Sequence, residues 1–299
     1  MIERKKRKES KMAFFRRKKQ TVQEAPEEAH EPPVTLVLAF GEAIDADALA
    51  PLFSALPEYA EIAVNGDAGS VATPEDKHFS VCPDTGRYGG RYVVRADARS
   101  AFSASGAETL FGFLQHAEED LVFYGENEKA GSREDPLARV FNGERPLPAH
   151  CAARKELAST GCKGKYAETF APLLFAESAA SISASLTDGE PAEPAGEEEL
   201  LSLVSYFNGV KPALAAERYR FAFRHITEEL LKYYAREAIN GQSERLRALD
   251  ESLKKENMAL WVAAAENSPL GFVKTLRKRG YDLPFYLKAA LRVHGVLKK

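Results

Sequence analysis

The sequence predicts an α/β fold built on a mostly parallel sheet, followed by an α-helical C-terminal domain. Three observations carry that reading. Residues 34–64 alternate strand, helix, strand, the βαβ order that brings parallel strands side by side. Short apolar strands bounded by turn residues continue as far as Gly125. Beyond residue 200 the apolar residues fall only at helical spacing. Between the two parts, Asp188-Gly-Glu-Pro-Ala-Glu-Pro-Ala-Gly-Glu-Glu-Glu199 has the composition of a linker. The chain therefore divides into a basic tail and linker over 1–33, an α/β domain over 34–187, an acidic linker over 188–199 and an α-helical domain over 200–299.

Order is expected from Val34, where Val34-Thr-Leu-Val-Leu-Ala-Phe40 is a continuous apolar run suited to a strand buried on both faces. Asp45 or Asp47 can cap a helix carrying Ala48, Leu49, Leu52, Phe53 and Leu56, which Pro57 closes. Glu61-Ile-Ala-Val64 is a second strand, His78–Cys82 a third and Arg91–Arg95 a fourth, the last two joined by the turn Pro83–Gly90. A helix over Glu108–Ala117 and a strand over Asp120–Gly125 follow. Residues 126–150 read as irregular, and a further helix is expected over Tyr166–Ala180. In the last part, Phe223, Ile226, Leu230, Leu231 and Tyr234 form one helical stripe, and Leu246, Leu249, Leu253 and Leu260 another. Ser268-Pro269 starts a helix that Gly280 can end.

Composition bounds the class. Hydrophobic residues are 44% and charged residues 28%, enough for a sizeable core and too apolar for a disordered chain. The three cysteines include no CxxC pair, which excludes a disulfide scaffold and suits a reducing compartment. No run of 18 apolar residues occurs, and the N-terminus is charged where a signal peptide needs an apolar stretch. A cytoplasmic protein is expected.

The net charge of −3 conceals an asymmetry. The first twenty residues carry +8 and residues 270–299 carry +7, so the residues between them sum to −18. In the first twenty, two basic clusters surround Met12, Phe14 and Phe15. Such a segment is a solvated tail, an anchor to anionic membrane or a non-specific contact to nucleic acid. No specific nucleic-acid partner is expected. Membrane contact through residues 1–20 would give a peripheral position at the inner face of the membrane.

Several motifs fail on spacing. Gly164-Lys165 lacks the P-loop glycine at 159 and the hydroxyl at 166, which are Ser159 and Tyr166. No GxSxG elbow occurs, and His150, Cys151 and Cys162 are too scattered for a zinc site.

The βαβ region carries a resemblance. Tyr59-Ala-Glu-Ile-Ala-Val-Asn-Gly-Asp-Ala-Gly-Ser70, Tyr92-Val-Val-Arg-Ala-Asp97-Ala-Arg99, Ser105-Gly-Ala-Glu-Thr-Leu110 and Glu119–Gly125 occur in the order and near the spacing of marks in glycosyltransferase family 2. The chain resembles that family's Rossmann-like GT-A domain over about residues 34–125, extendable to 180. The resemblance implies Asp67 at the nucleotide, Asp97 at the diphosphate and at a divalent metal (Mg²⁺ or Mn²⁺), and a general-base carboxylate at Glu168. Two departures stand out. Arg99 replaces the second carboxylate of the D-x-D motif, which puts the metal in doubt and offers a planar cation to a phosphate instead. Gly66 replaces one nucleotide-contacting aspartate, and the helix expected between the third and fourth strands is missing.

The function implied is transfer of a sugar from a nucleotide sugar to a hydroxyl acceptor in bacterial surface polysaccharide synthesis. Two alternatives stand beside it: a catalytically inactive, glycosyltransferase-like binding or scaffold module, and a membrane-surface adaptor unrelated to sugar chemistry.

Overall fold

The computed structural model describes residues 34–39, 61–65, 81–83, 87–97, 101–125, 128, 135–158, 165–188 and 195–293, with Leu52 and Ala55. The chain divides into two compact units, Met1–Glu31 and Pro32–Lys299, and every described residue belongs to the second.

The sheet is built from β1 (Val34–Ala39), β2 (Glu61–Asn65), β3 (Val81–Pro83), β4 (Tyr92–Asp97), β6 (Leu121–Tyr124), β7 (His150–Arg154) and β8 (Ala179–Ile182), in the order β3-β2-β1-β4-β7-β6-β8. Neighbouring strands are parallel except β7, which runs antiparallel to both β4 and β6. Leu52 and Ala55 are helical between the parallel neighbours β1 and β2, so the βαβ order is realised. Outside this sheet, β5 (Ala101–Phe102) pairs antiparallel with β9 (Thr187–Asp188). The predicted α/β class and mostly parallel sheet are thus present, and a helical C-terminal part follows them.

Each face of the sheet carries its own core, because strand side chains alternate. On one face Tyr92, Val94, Val122 and Tyr124 pack with Leu36, Leu52 and helix α1 (Ala104–Leu114). Ser103 caps α1 by accepting from the Gly106 N–H at 3.2 Å, and Ala107, Leu110, Phe111 and Leu114 bury one side of it. On the other face Val93, Leu121, Phe123, Cys151 and Ala153 meet Phe170, Phe207, Ile226 and Leu230. That second core continues unbroken into the C-terminal helices.

The turn before β4 has a steric requirement. A Cβ on Gly90 would lie 2.3 Å from the Thr35 nitrogen, and the Gly90 N–H donates to Thr35 Oγ1 at 2.7 Å. The hydrogen bond satisfies a hydroxyl that is wholly buried in β1.

Two segments differ from the expected pattern. Residues 126–150 include helix α2 (Pro136–Asn142), with Asp135 accepting from the Leu137 N–H at 2.9 Å, Pro136 in its first turn and Gly143 left-handed at φ 78° after its end. The single helix expected over Tyr166–Ala180 is three elements: α4 (Lys165–Glu168), α5 (Phe170–Leu173) and strand β8, preceded by α3 (Lys155–Ala158). Pro172 is the reason for the break. In a continuous helix the Glu168 carbonyl would accept from the residue at 172, and proline has no N–H to give. The Cys151 thiol donates to that carbonyl instead, at 2.9 Å.

The C-terminal helices are α6 (Glu197–Val210), α7 (Ala216–Ile239), α8 (Ser243–Glu256), α9 (Met258–Glu266), α10 (Phe272–Lys278) and α11 (Phe285–Val293). The first begins at Glu197, inside the stretch whose composition suggested a linker. The leucine stripe from Leu246 to Leu260 belongs to two helices. Asn257, at φ −153°, breaks the chain there and caps α9 by accepting from the Leu260 N–H at 3.0 Å. Among the described residues no helix is long and apolar enough to cross a membrane.

Candidate functional site

In open α/β sheets ligands bind beyond the carboxyl ends of the strands, at the point where strand order reverses. Here the order reverses between β1 and β4, and the pairs Ala39↔Asp97 and Ala39↔Asn65 bring three strand ends level. The sheet also opens beside β4. Hydrogen-bonded pairing of β4 with β7 covers only Tyr92–Val93 and Ala153–Arg154. The carboxyl half of β4 and the amino half of β7 therefore run past each other without pairing.

Around that opening the chain assembles one titratable cluster. Glu168, from the last turn of α4, holds its Oε1 3.1 Å from His150 Nδ1 at the start of β7. The Glu168 side chain is 15% exposed and that of His150 43%. The His150 ring stacks on Tyr124, the last residue of β6, with centroids 5.5 Å apart and planes 18° from parallel. Arg95, on β4, donates to the Tyr88 hydroxyl at 2.5 Å and lies over its ring. Tyr88 comes from the glycine-rich turn after β3, so that turn helps to hold Arg95.

Electrostatics couple these groups. Burial raises the Glu168 pKa above the usual carboxylate value, and the His150 hydrogen bond and the Arg95 charge offset only part of that. The hydrogen bond that His150 donates to the Glu168 carboxylate raises the His150 pKa, against a smaller opposing effect of burial. Burial and the nearby Glu168 push the Tyr124 phenol and the Cys151 thiol well up, so both stay neutral. The result is a partly buried carboxylate with a raised proton affinity, oriented by an imidazole and within the field of the Arg95 guanidinium. Such a group can accept a proton from a bound hydroxyl.

Of the residues implied by the sequence, Glu168 lies in this cluster and Asp97 ends β4 beside the opening. Asp67 and Arg99, like residues 1–20, lie outside the described residues, and the Asp97 side chain is likewise not described. Sequence reasoning missed His150, Arg95, Tyr88 and Tyr124. In the chain His150 stands beside a cysteine, whereas its partner in the fold is a carboxylate 18 residues away.

Among the described residues no three His, Cys, Asp or Glu side chains converge to hold a metal ion. Of the groups described around Glu168, the Arg95 guanidinium is a fixed cation and opposes a second positive charge, whereas the His150 imidazole can itself ligate a metal ion. Two grooves elsewhere, one of about 360 Å³ lined by Gly143, Arg145, Arg224 and His225, the other of about 590 Å³ between α6 and α8, include neither His150 nor Glu168.

No family model matches the chain, and no curated protein matches it. Among solved structures it is similar to S. aureus TarS 1–349, with a TM-score of 0.46 and 9% identity over 83% of this chain and 87% of that one. It is also similar to the complex of that protein with UDP, with a TM-score of 0.46 and 13% identity over 83% and 88% of the two chains. For the complex with UDP-GlcNAc the TM-score is 0.43 and the identity 11%, over 83% and 88%.

Proposed function

We propose that this chain is a divergent glycosyltransferase of the family-2 kind, moving a sugar from a nucleotide sugar to a hydroxyl acceptor in bacterial surface polysaccharide synthesis. The observation that supports this most is the Glu168–His150 pair at the carboxyl edge of the sheet, beside the end of β4. In this reading Glu168 takes the proton of the acceptor hydroxyl as its oxygen bonds to the anomeric carbon, and the nucleoside diphosphate departs with the electron pair of the broken bond. His150 is a positioning residue: it fixes the carboxylate and tempers its charge. Asp67 contacts the nucleotide, and Asp97 and Arg99 lie at the diphosphate.

The charge balance favours transfer without a divalent ion. With Arg99 in place of a carboxylate, and Arg95 acting at the same opening, protein cations supply the counter-charge that a metal would otherwise bring. Calorimetry with a panel of UDP- and GDP-sugars tests this. At least one donor should bind equally well in EDTA and in Mn²⁺. Arg99→Ala should weaken binding by about 1.5–3 kcal/mol, the range for a hydrogen bond to a charged group. Arg99→Asp should make the remaining binding depend on Mn²⁺. If no nucleotide sugar binds in either condition and Arg99→Asp gains none, the opening is not a donor site and the scaffold reading replaces this one.

A further inference from the structure

The last described helix, α11, buries one stripe and leaves a second apolar stripe outside. Leu287 and Leu291, one turn apart, are its buried residues. On the other side Phe285 is 81% exposed, Tyr286 67% and Val293 80%. At 3.6 residues per turn, Phe285, Ala289 and Val293 fall within an arc of about 80°, with Tyr286 beside Val293. A surface helix ordinarily places charged residues there, and a contiguous exposed apolar face marks an interaction site.

Charge indicates what covers it. Lys288 and Arg292 flank the apolar face, and exposed Lys274, Lys278 and Arg279 precede it in α10 and the following turn. Arg277 is held by Asp250 and Lys288 pairs with Asp282 at 3.5 Å, so the exposed cations here, among the described residues, are Lys274, Lys278, Arg279 and Arg292. A second copy meeting this face with the same face would oppose like charges, and residues 1–20 carry +8, so neither complements it. An anionic bilayer does. Its headgroups take the cations, and its interfacial layer takes aromatic side chains such as Phe285 and Tyr286.

We infer that α11, with the basic residues of α10, docks the protein on an anionic lipid surface. Docking needs no nucleotide sugar, so it stands or falls independently of sugar transfer. The test is co-sedimentation of the full chain with phosphatidylcholine vesicles, with and without phosphatidylglycerol. The protein should bind only the anionic vesicles, and high salt should weaken binding. The double variant Phe285→Ser, Tyr286→Ser should bind roughly tenfold more weakly. Its melting temperature should not change, since both side chains lie outside the core. Removing residues 1–20 should leave binding that the double variant still reduces, and Tyr286→Trp should shift its emission to the blue on anionic vesicles. The inference is overturned if neutral vesicles bind equally well, if the double variant binds like wild type, or if removing residues 1–20 abolishes all binding. It is also overturned if sedimentation shows a dimer that the double variant dissociates, since the face then belongs to a second copy.

Discussion

Glu168 and His150 each change the proton affinity of the other, and the directions set a pH dependence. The folded-state pKa of His150 lies above its usual 6.5, so its contribution to stability is complete below that value and is lost as pH rises through the raised one. Glu168, raised above its usual 4.5 by burial, has the same sign: its protonated form favours the folded state, and stability falls as pH rises from 4.5 through the raised value. Glu168→Gln keeps a hydrogen-bonding group beside His150 and removes the charge. In that variant the His150 ring should titrate closer to its usual value, read by NMR; an unchanged titration would show that the carboxylate does not act on the imidazole. Nucleotide-sugar binding should persist while turnover falls by about 10²–10⁴-fold, the usual share of a general base. Loss of binding together with turnover would assign Glu168 to the donor instead.

Helix α1 holds two glycines with opposite expectations. A Cβ on Gly106 would lie 1.7 Å from the Ser185 carbonyl oxygen, so the helix can approach that strand-end segment only because the side chain is absent. Gly112, on the exposed side of the same helix, has nothing within 4 Å of its Cβ position. Gly106→Ala should destabilise by about 1–3 kcal/mol through overpacking. Gly112→Ala should stabilise by up to about 1 kcal/mol through helix propensity. Urea denaturation of the two variants decides; equal effects would mean that α1 does not pack against Ser185. The sequence made α1 legible through its apolar spacing, though it placed the helix over Glu108–Ala117, a few residues late. Strands β7 and β8 were illegible for a physical reason. His-Cys-Ala-Ala-Arg has none of the β-branched and large aromatic residues that announce a strand and Ala-Ala-Ser-Ile has only Ile182, so it is pairing in the sheet, β8 with β6 and β7 with β4 and β6, that makes them extended. Helix α2 differs, since its start and stop signals, Asp135-Pro136 and Gly143, stand in the sequence within a stretch otherwise irregular in pattern. The candidate site was half visible. Glu168 came from the family resemblance, while His150 meets it only once β7 exists.

At the scale of the described unit, the sheet is joined to the C-terminal helices by the core on one of its faces, which runs from Val93 and Phe123 to Leu276 and Leu291. One buried carboxylate ties the C-terminal end of that core together. Asp250 in α8 is 4% exposed and accepts from Tyr234 in α7 at 2.5 Å, Trp261 in α9 at 2.9 Å and Tyr281, in the turn after α10, at 2.9 Å. Arg277 in α10 donates to it at 2.8 Å and stacks 3.9 Å from the centre of the Trp261 ring. These donors leave Asp250 well satisfied, so it is read as a structural clasp with no spare capacity for chemistry. Burial alone would raise the Asp250 pKa; the hydrogen bonds from Tyr234, Trp261 and Arg277 and the Arg277 charge overcome it and lower the value below 3.8. Its sign is therefore opposite to that of Glu168. Its contribution is present above pH 3.8 and is lost as pH falls through the lowered value, so the unit should be weakened from the acid side here and from the neutral side at the sheet edge. Asp250→Ala leaves Arg277 charged and largely buried, which should cost about 3–5 kcal/mol. Because the core is continuous, that loss should not be confined to the helices. Calorimetry should show one transition shifted down as a whole, with far- and near-ultraviolet dichroism lost together. A variant in which the helical signal melts early and a separate sheet transition stays at its original temperature would show two independently stable domains, and the shared core would then contribute little to cooperativity.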